Sequence, residues 1–573
     1  MNSITKRLMA GVAAAATLLS GMALTGSAMA ADTAIATDAV QANQTLTVKA
    51  SEGALKGKNL YAVKLAAYSA AQTDGADITG YDLADGGYAT AVDQALKDAG
   101  IIDTTSPAGY DSTNPMTWVV QNLLDSDSSP YAGQLRNFLT KLANQQTVKT
   151  AFVDGNKMDV ATDGNTATKN VPAGVYAVFD VASENGNEVV SIPMLNGTTI
   201  DGKTIKGKTL GEVDYKATQP TVGKKIVEED SRVESNVAAI GDTVTYELTT
   251  TVPNYTGYDQ GYYLALNDTL SKGLTFKEIA SVRVEGIDTE YKGNTTFYKM
   301  TDLADATTEG AYNGGKSFSV LFSPTAEGSS DITKQSALFP IGKKITVRYT
   351  ATLNKDAVIN GDGNPNQVNL TYSRNPNGTE HGDTDNVEVK TYTGNLKLHK
   401  VDVKDNNLKG AEFEVRNAAN GDALKFRDNN DGTYTLLDNQ TATDGVTSLV
   451  TPDSGILTIN GLNGKYYFKE TKSPLGATAL PSFDATVTVR DTADATDSTN
   501  KPAGSQTVSL DKADANQLVV ADTDNDANIK VTNVRNITEM PKTGAAWLCI
   551  YAVMALLCGG GAFLLLRSSK KRA

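Results

Sequence analysis

A lysine on the inward face of a β-strand is a chemical anomaly, because an unpaired ammonium costs several kcal/mol to bury. Lys400 occupies such a slot, in strict alternation with Leu396 and Leu398. Asn533 repeats the pattern with Ile529 and Val531. Between them, in Tyr466-Tyr467-Phe468-Lys469-Glu470, Phe468 and Glu470 share a face, so Glu470 also points inward. An amine, a carboxyl and a carboxamide are then expected to meet in an apolar core. Desolvation lowers the lysine pKa and raises that of the glutamate. A neutral amine can attack the Asn carboxamide while a protonated carboxyl polarises its carbonyl. Ammonia leaves, and a Lys–Asn amide joins the two strands. The same residues also fit a buried ion pair with an asparagine hydrogen bond, and their spacing leaves both readings open.

Holding such groups in register requires stiff strands, and the composition favours them. The 573 residues exceed a single core and imply three or four domains. Apolar residues make up 40%, enough to fold, and 50 glycines and 23 tyrosines among many Thr, Val, Asp and Asn favour strands and turns. The expected fold class is all-β, tandem immunoglobulin-like β-sandwiches, the first with helical insertions. In a first domain, 31–215, residues 31–44 form a flexible or strand-donating lead. Leu46 and Val48 then alternate, 88–99 reads as a helix closed by Gly100, and Leu135, Phe138, Leu139 and Leu142 share a helical face. A strand is expected over 175–179, and no Lys–acid–Asn trio is evident in this domain. A second domain, 216–392, alternates through Val244, Tyr246 and Leu248 and through Ile345, Val347 and Tyr349. Lys224 is in register with Val222 and Ile226, and Asn366 with Val368, Leu370 and Tyr372. A one-residue slip would exchange these for Lys225 and Asn369. The third domain, 393–535, carries the trio already described.

The two ends have their own logic. Lys6 and Arg7 precede an apolar run over 8–24 and the small-x-small site Ala28-Met29-Ala30, so 1–30 reads as a signal peptide. At the other end, 536–573 holds Met540-Pro541-Lys542-Thr543-Gly544, an apolar stretch over 545–566 long enough to span a bilayer, and a basic tail, 567–573. The five-residue motif resembles the LPXTG sorting signal read by sortase transpeptidases, with Met in place of Leu, an unbranched apolar substitute. Losing +2 with the signal and +4 with the tail takes the net charge from −14 to −20. So acidic a body disfavours nucleic acid and anionic lipid as partners. Both cysteines, Cys549 and Cys558, lie in the apolar tail. A secreted protein left without disulfides needs another staple.

Further resemblances follow from these residues. The segment from Leu396 through Lys400-Val401-Asp402 to Leu408-Lys409-Gly410-Ala411-Glu412-Phe413 resembles the opening of collagen-adhesin B-type domains. The segment 466–476 is similar to the pilin E-box, with Phe468 for the usual Leu and Ser473 for Ala. The resemblance implies that Lys400, Glu470 and Asn533 form an isopeptide bond. Leu266-Asn267-Asp268-Thr269-Leu270-Ser271-Lys272-Gly273-Leu274 resembles the aspartate-bearing segment of the fimbrial D2 family. It implies a Lys224–Asn366 bond with Asp268 as the proton-carrying acid. In shaft pilins a further lysine before the second domain attacks the sortase acyl-enzyme of the next subunit. The matching stretch is Val213-Asp214-Tyr215-Lys216-Ala217, which lacks the usual proline and implies Lys216 as acceptor and Thr543 as donor.

The reading that follows is a structural shaft subunit of a covalent, cell-wall-attached pilus. Its expected partners are copies of itself, pilus-specific and housekeeping sortases, peptidoglycan, accessory pilins and a host surface ligand. The alternative is an accessory or monomeric wall-anchored adhesin. An enzyme is disfavoured, because His381 and His399 have no nucleophile beside them. No cofactor or metal is expected. The tract Asp522-Thr523-Asp524-Asn525-Asp526 lacks the glycine and terminal glutamate of an EF-hand loop, and Asp428-Asn429-Asn430-Asp431-Gly432 reads as a turn.

Overall fold

The computed structural model describes residues 33–540 except 52, 104–105, 124–132, 184–185, 206–207, 216, 218, 230, 256–257, 259, 294–295, 307–308, 326–328, 377, 478–479, 493–500, 515, 523–526 and 537–538. The described chain is built mainly of strands, arranged as three successive pairs of sheets. Alternating sequences produce this because each strand offers one apolar face, which is buried only when a second sheet covers it.

In the first unit, one sheet is centred on Leu60–Thr73 and Gly174–Asp180, and the second on Asn43–Lys49 and Thr166–Pro172. Thr33–Ala34 pairs with Leu60–Thr73, so part of the lead is docked as a strand. The helical insertions are Ala89–Asp98, Pro115–Asn122 and Gln134–Ala143. The first ends at Gly100, whose φ of 65° places it in the left-handed region that favours glycine. Leu135, Phe138, Leu139 and Leu142 are all fully buried, as their 3-4 spacing requires.

In the second unit, a five-stranded sheet contains Val222–Glu228, Thr243–Thr251 and Lys344–Leu353. It faces an eight-stranded sheet containing Leu264–Leu270, Asn364–Ser373 and Val387–Tyr392. In the third unit, Gly394–Asp402 and Ile529–Asn533 lie side by side and parallel in a six-stranded sheet. The facing five-stranded sheet carries Gly464–Lys472. The turn read over 428–432 joins Phe426–Asp428 to Thr433–Leu436, with Asn430 and Gly432 both at positive φ.

The second and third units share one continuous buried cluster, from Val189 to Val531. At their seam the Ile240 amide donates to the Gly461 carbonyl at 2.9 Å. Gly461 has φ +87°, and a Cβ there would come within 2.4 Å of the Ile240 side chain. Arg427 Nη1 reaches Asp356 Oδ1 across the same seam at 3.0 Å. The first unit meets the second through Val190, whose amide donates to the Arg374 carbonyl at 2.7 Å. Among the described residues, no helix is long and apolar enough to cross a membrane.

Candidate cross-linking sites

Lys224 sits mid-strand in Val222–Glu228, and alternation turns it inward with Ile226; the two are 1% and 0% exposed. From the facing sheet, Asp268 and Asn366 project from paired neighbours, both 0% exposed. The Lys224 amine donates to Asp268 Oδ2, and to Asn366 Oδ1 at 2.8 Å. The amine, the acid and the carboxamide expected from the sequence are therefore together. Lys225 faces outward to Glu234 at 2.6 Å, and Asn369 accepts from Asn267 on the other face of its sheet. The one-residue slip does not occur.

In the third unit Lys400, Glu470 and Asn533 are each 0% exposed. Glu470 Oε2 lies 3.4 Å from the Lys400 amine and accepts from Asn533 Nδ2 at 3.0 Å. The amine also donates to the Val531 carbonyl at 3.3 Å. Glu470 Oε1 is buried without a hydrogen-bond partner. That favours a neutral carboxyl, since a buried anionic oxygen left unpaired is costly.

The two sites differ in how the sandwich supplies the groups. In the third unit the amine and the carboxamide come from adjacent strands of one sheet, the first and last of the unit, and the acid from the facing sheet. In the second unit the amine crosses the sandwich to an acid and a carboxamide that share the opposite sheet. The strand of Asn366 is not the last there, because His381–Asp383 and Val387–Tyr392 follow it.

The electrostatics are those amide exchange requires. Burial draws the Lys224 amine down to about 8 against the opposing pull of Asp268. It draws Lys400 down to about 8 against Glu470. Burial pushes Asp268 and Glu470 up, each opposed by its lysine. Both shifts favour a neutral amine beside a protonated carboxyl.

Three features went unread in the sequence. Tyr349 contributes its hydroxyl to the second-unit trio and Ser473 to the third. Tyr349 already stood in an inward alternation, where a hydroxyl needs a partner, and Ser473 in a slot where alanine is usual; those were the available signals. The first unit also buries a polar cluster. The Lys58 amine donates to the Val189 carbonyl and lies 3.9 Å from Asp180 Oδ2, which accepts from the Tyr215 hydroxyl at 2.6 Å.

Of the expected linkage residues, Lys216 lies outside the described residues, immediately after the buried Tyr215. Met540 is the last described residue, so Pro541, Lys542, Thr543 and Gly544 also lie outside, as do the expected signal peptide and apolar span. Asp522 Oδ2 lies 3.1 Å from His399 Nδ1, and the rest of its acidic tract is outside the description.

Residues 240–376 match the Gram-positive pilin backbone subunit 2, Cna-B-like domain, and residues 394–503 match the SpaA prealbumin-like fold domain. The trypsin-resistant surface T6 protein of Streptococcus pyogenes serotype M6 is 25% identical over 336 residues, covering 54% of this chain and 55% of the relative. The chain thus spans about half the length of that relative. Among solved structures, the T6 backbone pilin of serotype M6 Streptococcus pyogenes shares 17% identity at a TM-score of 0.46, covering 86% of this chain and 93% of that one. The full-length major pilin SpaD of Corynebacterium diphtheriae shares 18% at 0.39, covering 77% and 88%.

Tandem β-sandwiches whose cores enclose a lysine, a carboxyl and an asparagine define the class as a multidomain immunoglobulin-like protein. Two pilin domain models match in succession, over 240–376 and 394–503, so across these segments the chain is similar to Gram-positive backbone pilins.

Proposed function

We propose that the chain is the shaft subunit of a covalently polymerised surface pilus, divided into domains near 216 and 393 and internally clamped by Lys224–Asn366 and Lys400–Asn533 amides. The observation that carries this reading is the pair of sealed trios. Two lysines with lowered pKa values, each beside a raised acid and a carboxamide, are costly to keep in a sandwich core unless they react. Each exchange forms a C–N bond from Nζ to Cγ, breaks the bond from Cγ to Nδ2 and releases ammonia. Asp268 and Glu470 supply a proton to the leaving nitrogen and recover one from the attacking amine.

Export through 1–30, sortase cleavage between Thr543 and Gly544, transfer of Thr543 to Lys216 of the next copy and final attachment to peptidoglycan complete the proposal. Accessory pilins and a host ligand are further partners on this reading. The test is the wall fraction of cells producing the chain, boiled in detergent and immunoblotted. A ladder of multimers supports the shaft, and a single wall-attached band supports the monomeric adhesin instead.

The reactive state of each trio, bare amine and protonated carboxyl, holds one titratable proton between the two groups. Above about pH 8 the pair loses it, because the lysines titrate near that value, and no acid remains for the leaving group. In acid the pair gains a second proton, and an ammonium cannot attack. Neighbouring Tyr246 and Tyr349 are held neutral by burial and add no charge. The rate of ammonia loss, followed by intact mass, should therefore trace a bell whose upper limb falls near pH 8. A rate that keeps rising through alkaline pH would exclude the protonated carboxyl.

A further inference from the structure

Each trio is in contact with a fourth polar group, and the two are hydroxyls placed differently. Tyr349 lies on Lys344–Leu353, directly opposite Tyr246 in the strand ladder, and is fully buried. Its hydroxyl touches all three members of its trio. It accepts from the Lys224 amine at 3.0 Å and from Asn366 Nδ2 at 2.6 Å, and it donates to Asp268 Oδ1 at 2.9 Å. Ser473, 8% exposed, donates from Oγ to Asn533 Oδ1 at 2.7 Å and accepts from the Leu475 amide at 3.2 Å.

We propose that both hydroxyls are catalytic residues of the cross-linking reactions, Tyr349 as a proton relay to the leaving nitrogen and Ser473 as the donor that stabilises the developing oxyanion. The inference rests on the amide-exchange reading above.

The two acids stand differently toward the group that departs. In the third domain Glu470 Oε2 is 3.0 Å from Asn533 Nδ2, so the acid reaches the leaving nitrogen directly. What that site adds is a hydroxyl on the carbonyl oxygen. When Nζ of Lys400 attacks Cγ, the π electrons move onto Oδ1, and the hydrogen bond that Ser473 Oγ donates to Oδ1 strengthens as charge develops there. Glu470 protonates Nδ2, the Cγ–Nδ2 bond breaks, ammonia leaves, and Glu470 regains its proton from Nζ as the amide forms.

In the second domain the contacts of Asp268 run to the Lys224 amine through Oδ2 and to the Tyr349 hydroxyl through Oδ1. Tyr349 stands between the acid and Nδ2. As Nδ2 pyramidalises in the tetrahedral intermediate it gains a lone pair and becomes an acceptor. The hydroxyl then turns to donate to Nδ2 while accepting the Asp268 proton, and Asp268 takes a proton from Nζ. One C–N bond has formed, one has broken, and ammonia carries off the transferred proton. Burial keeps the phenol protonated far into the alkaline range, so the transfer is concerted and no phenolate accumulates.

The test follows ammonia loss in the pulse-expressed ectodomain by intact mass, with tryptic mapping to assign each bond. Tyr349→Phe should slow bond formation in the second domain by roughly 10²-fold or more, the range for general acid–base groups, and leave the third at the wild-type rate. Ser473→Ala should slow the third domain by about 10²-fold, the order expected for an oxyanion donor, and leave the second unchanged. Ser473→Thr, which keeps the hydroxyl, should restore the rate. In each chain the unaltered domain is an internal control for folding and export. Wild-type rates in Tyr349→Phe or Ser473→Ala would overturn the corresponding role. A fluorotyrosine at 349 acidifies the hydroxyl without changing its packing; a relay responds in rate and a merely structural tyrosine does not. A wild-type chain that never loses ammonia would defeat the amide-exchange reading itself.

Discussion

The purified ectodomain, 31–543, should weigh two molecules of ammonia less than its sequence mass, and trypsin should yield two branched peptides, one joining Lys224 to Asn366 and one joining Lys400 to Asn533. The case rests on geometry and on cost. The Lys224 amine is already 2.8 Å from the Asn366 carboxamide, and Glu470 bridges the Lys400 amine and the Asn533 carboxamide. Neither lysine has water to fall back on, since both side chains are fully enclosed. Asp268→Asn and Glu470→Gln, close in shape and unable to carry the proton, should each restore one ammonia. The bond from Lys224 spans 142 residues, and a disulfide closing a loop of that order is worth about 5 kcal/mol. By that analogy each variant should melt roughly 10–20 °C lower in the affected domain. An unmodified wild-type mass would remove the clamps altogether.

Lys216→Ala should collapse the ladder of multimers to monomers while wall attachment and both internal bonds persist. A lysine amine with its ordinary pKa is mostly protonated at neutral pH, so an acceptor of that kind needs an enzyme to position and deprotonate it, unlike the sealed amines of the trios. On the proposed reading the acceptor precedes the second domain and the donor Thr543 follows the third, so joining would be head-to-tail, a heterologous contact that propagates instead of closing. Thr543→Ala provides the contrast, because it removes the donor and should abolish both the ladder and the wall linkage. A ladder that survives Lys216→Ala would move the acceptor to another lysine. Wall attachment that survives Thr543→Ala would show the sorting motif to be misread.

Strand period alone placed Lys224 and Lys400 on the inward face, because each is flanked at two residues by side chains that only a core would want. Alternation reports a face and nothing about which strand lies opposite. The crossing of the sandwich by Lys224 was therefore hidden, since it depends on pairings between distant segments, such as Asp268 opposite Val368. Tyr349 was concealed for a related reason. An inward tyrosine is ordinarily core, and only the positions of its three partners show what its hydroxyl does. Lys58 precedes its strand in Lys56-Gly57-Lys58-Asn59, where no alternation declares a face, so its burial beside Asp180 left no local trace.

The position of Asn366 two strands short of its domain's end sets how a stretched fibre would yield. With the proposed Lys224–Asn366 amide in place, tension entering at Lys224 would cross to Asn366 and continue through 367–392, outside the covalent loop, where Asn364–Ser373 and Val387–Tyr392 are held together by hydrogen bonds. In the third domain Lys400 and Asn533 sit close to the two exits, so the load bypasses nearly everything between them. On that proposal the second domain would hold slack, about two dozen residues or roughly 80 Å at ~3.3–3.6 Å per residue, released under force and recovered when it falls. Single-molecule stretching should register one reversible step of that size per subunit. A shaft without such a step would be inextensible at both clamps.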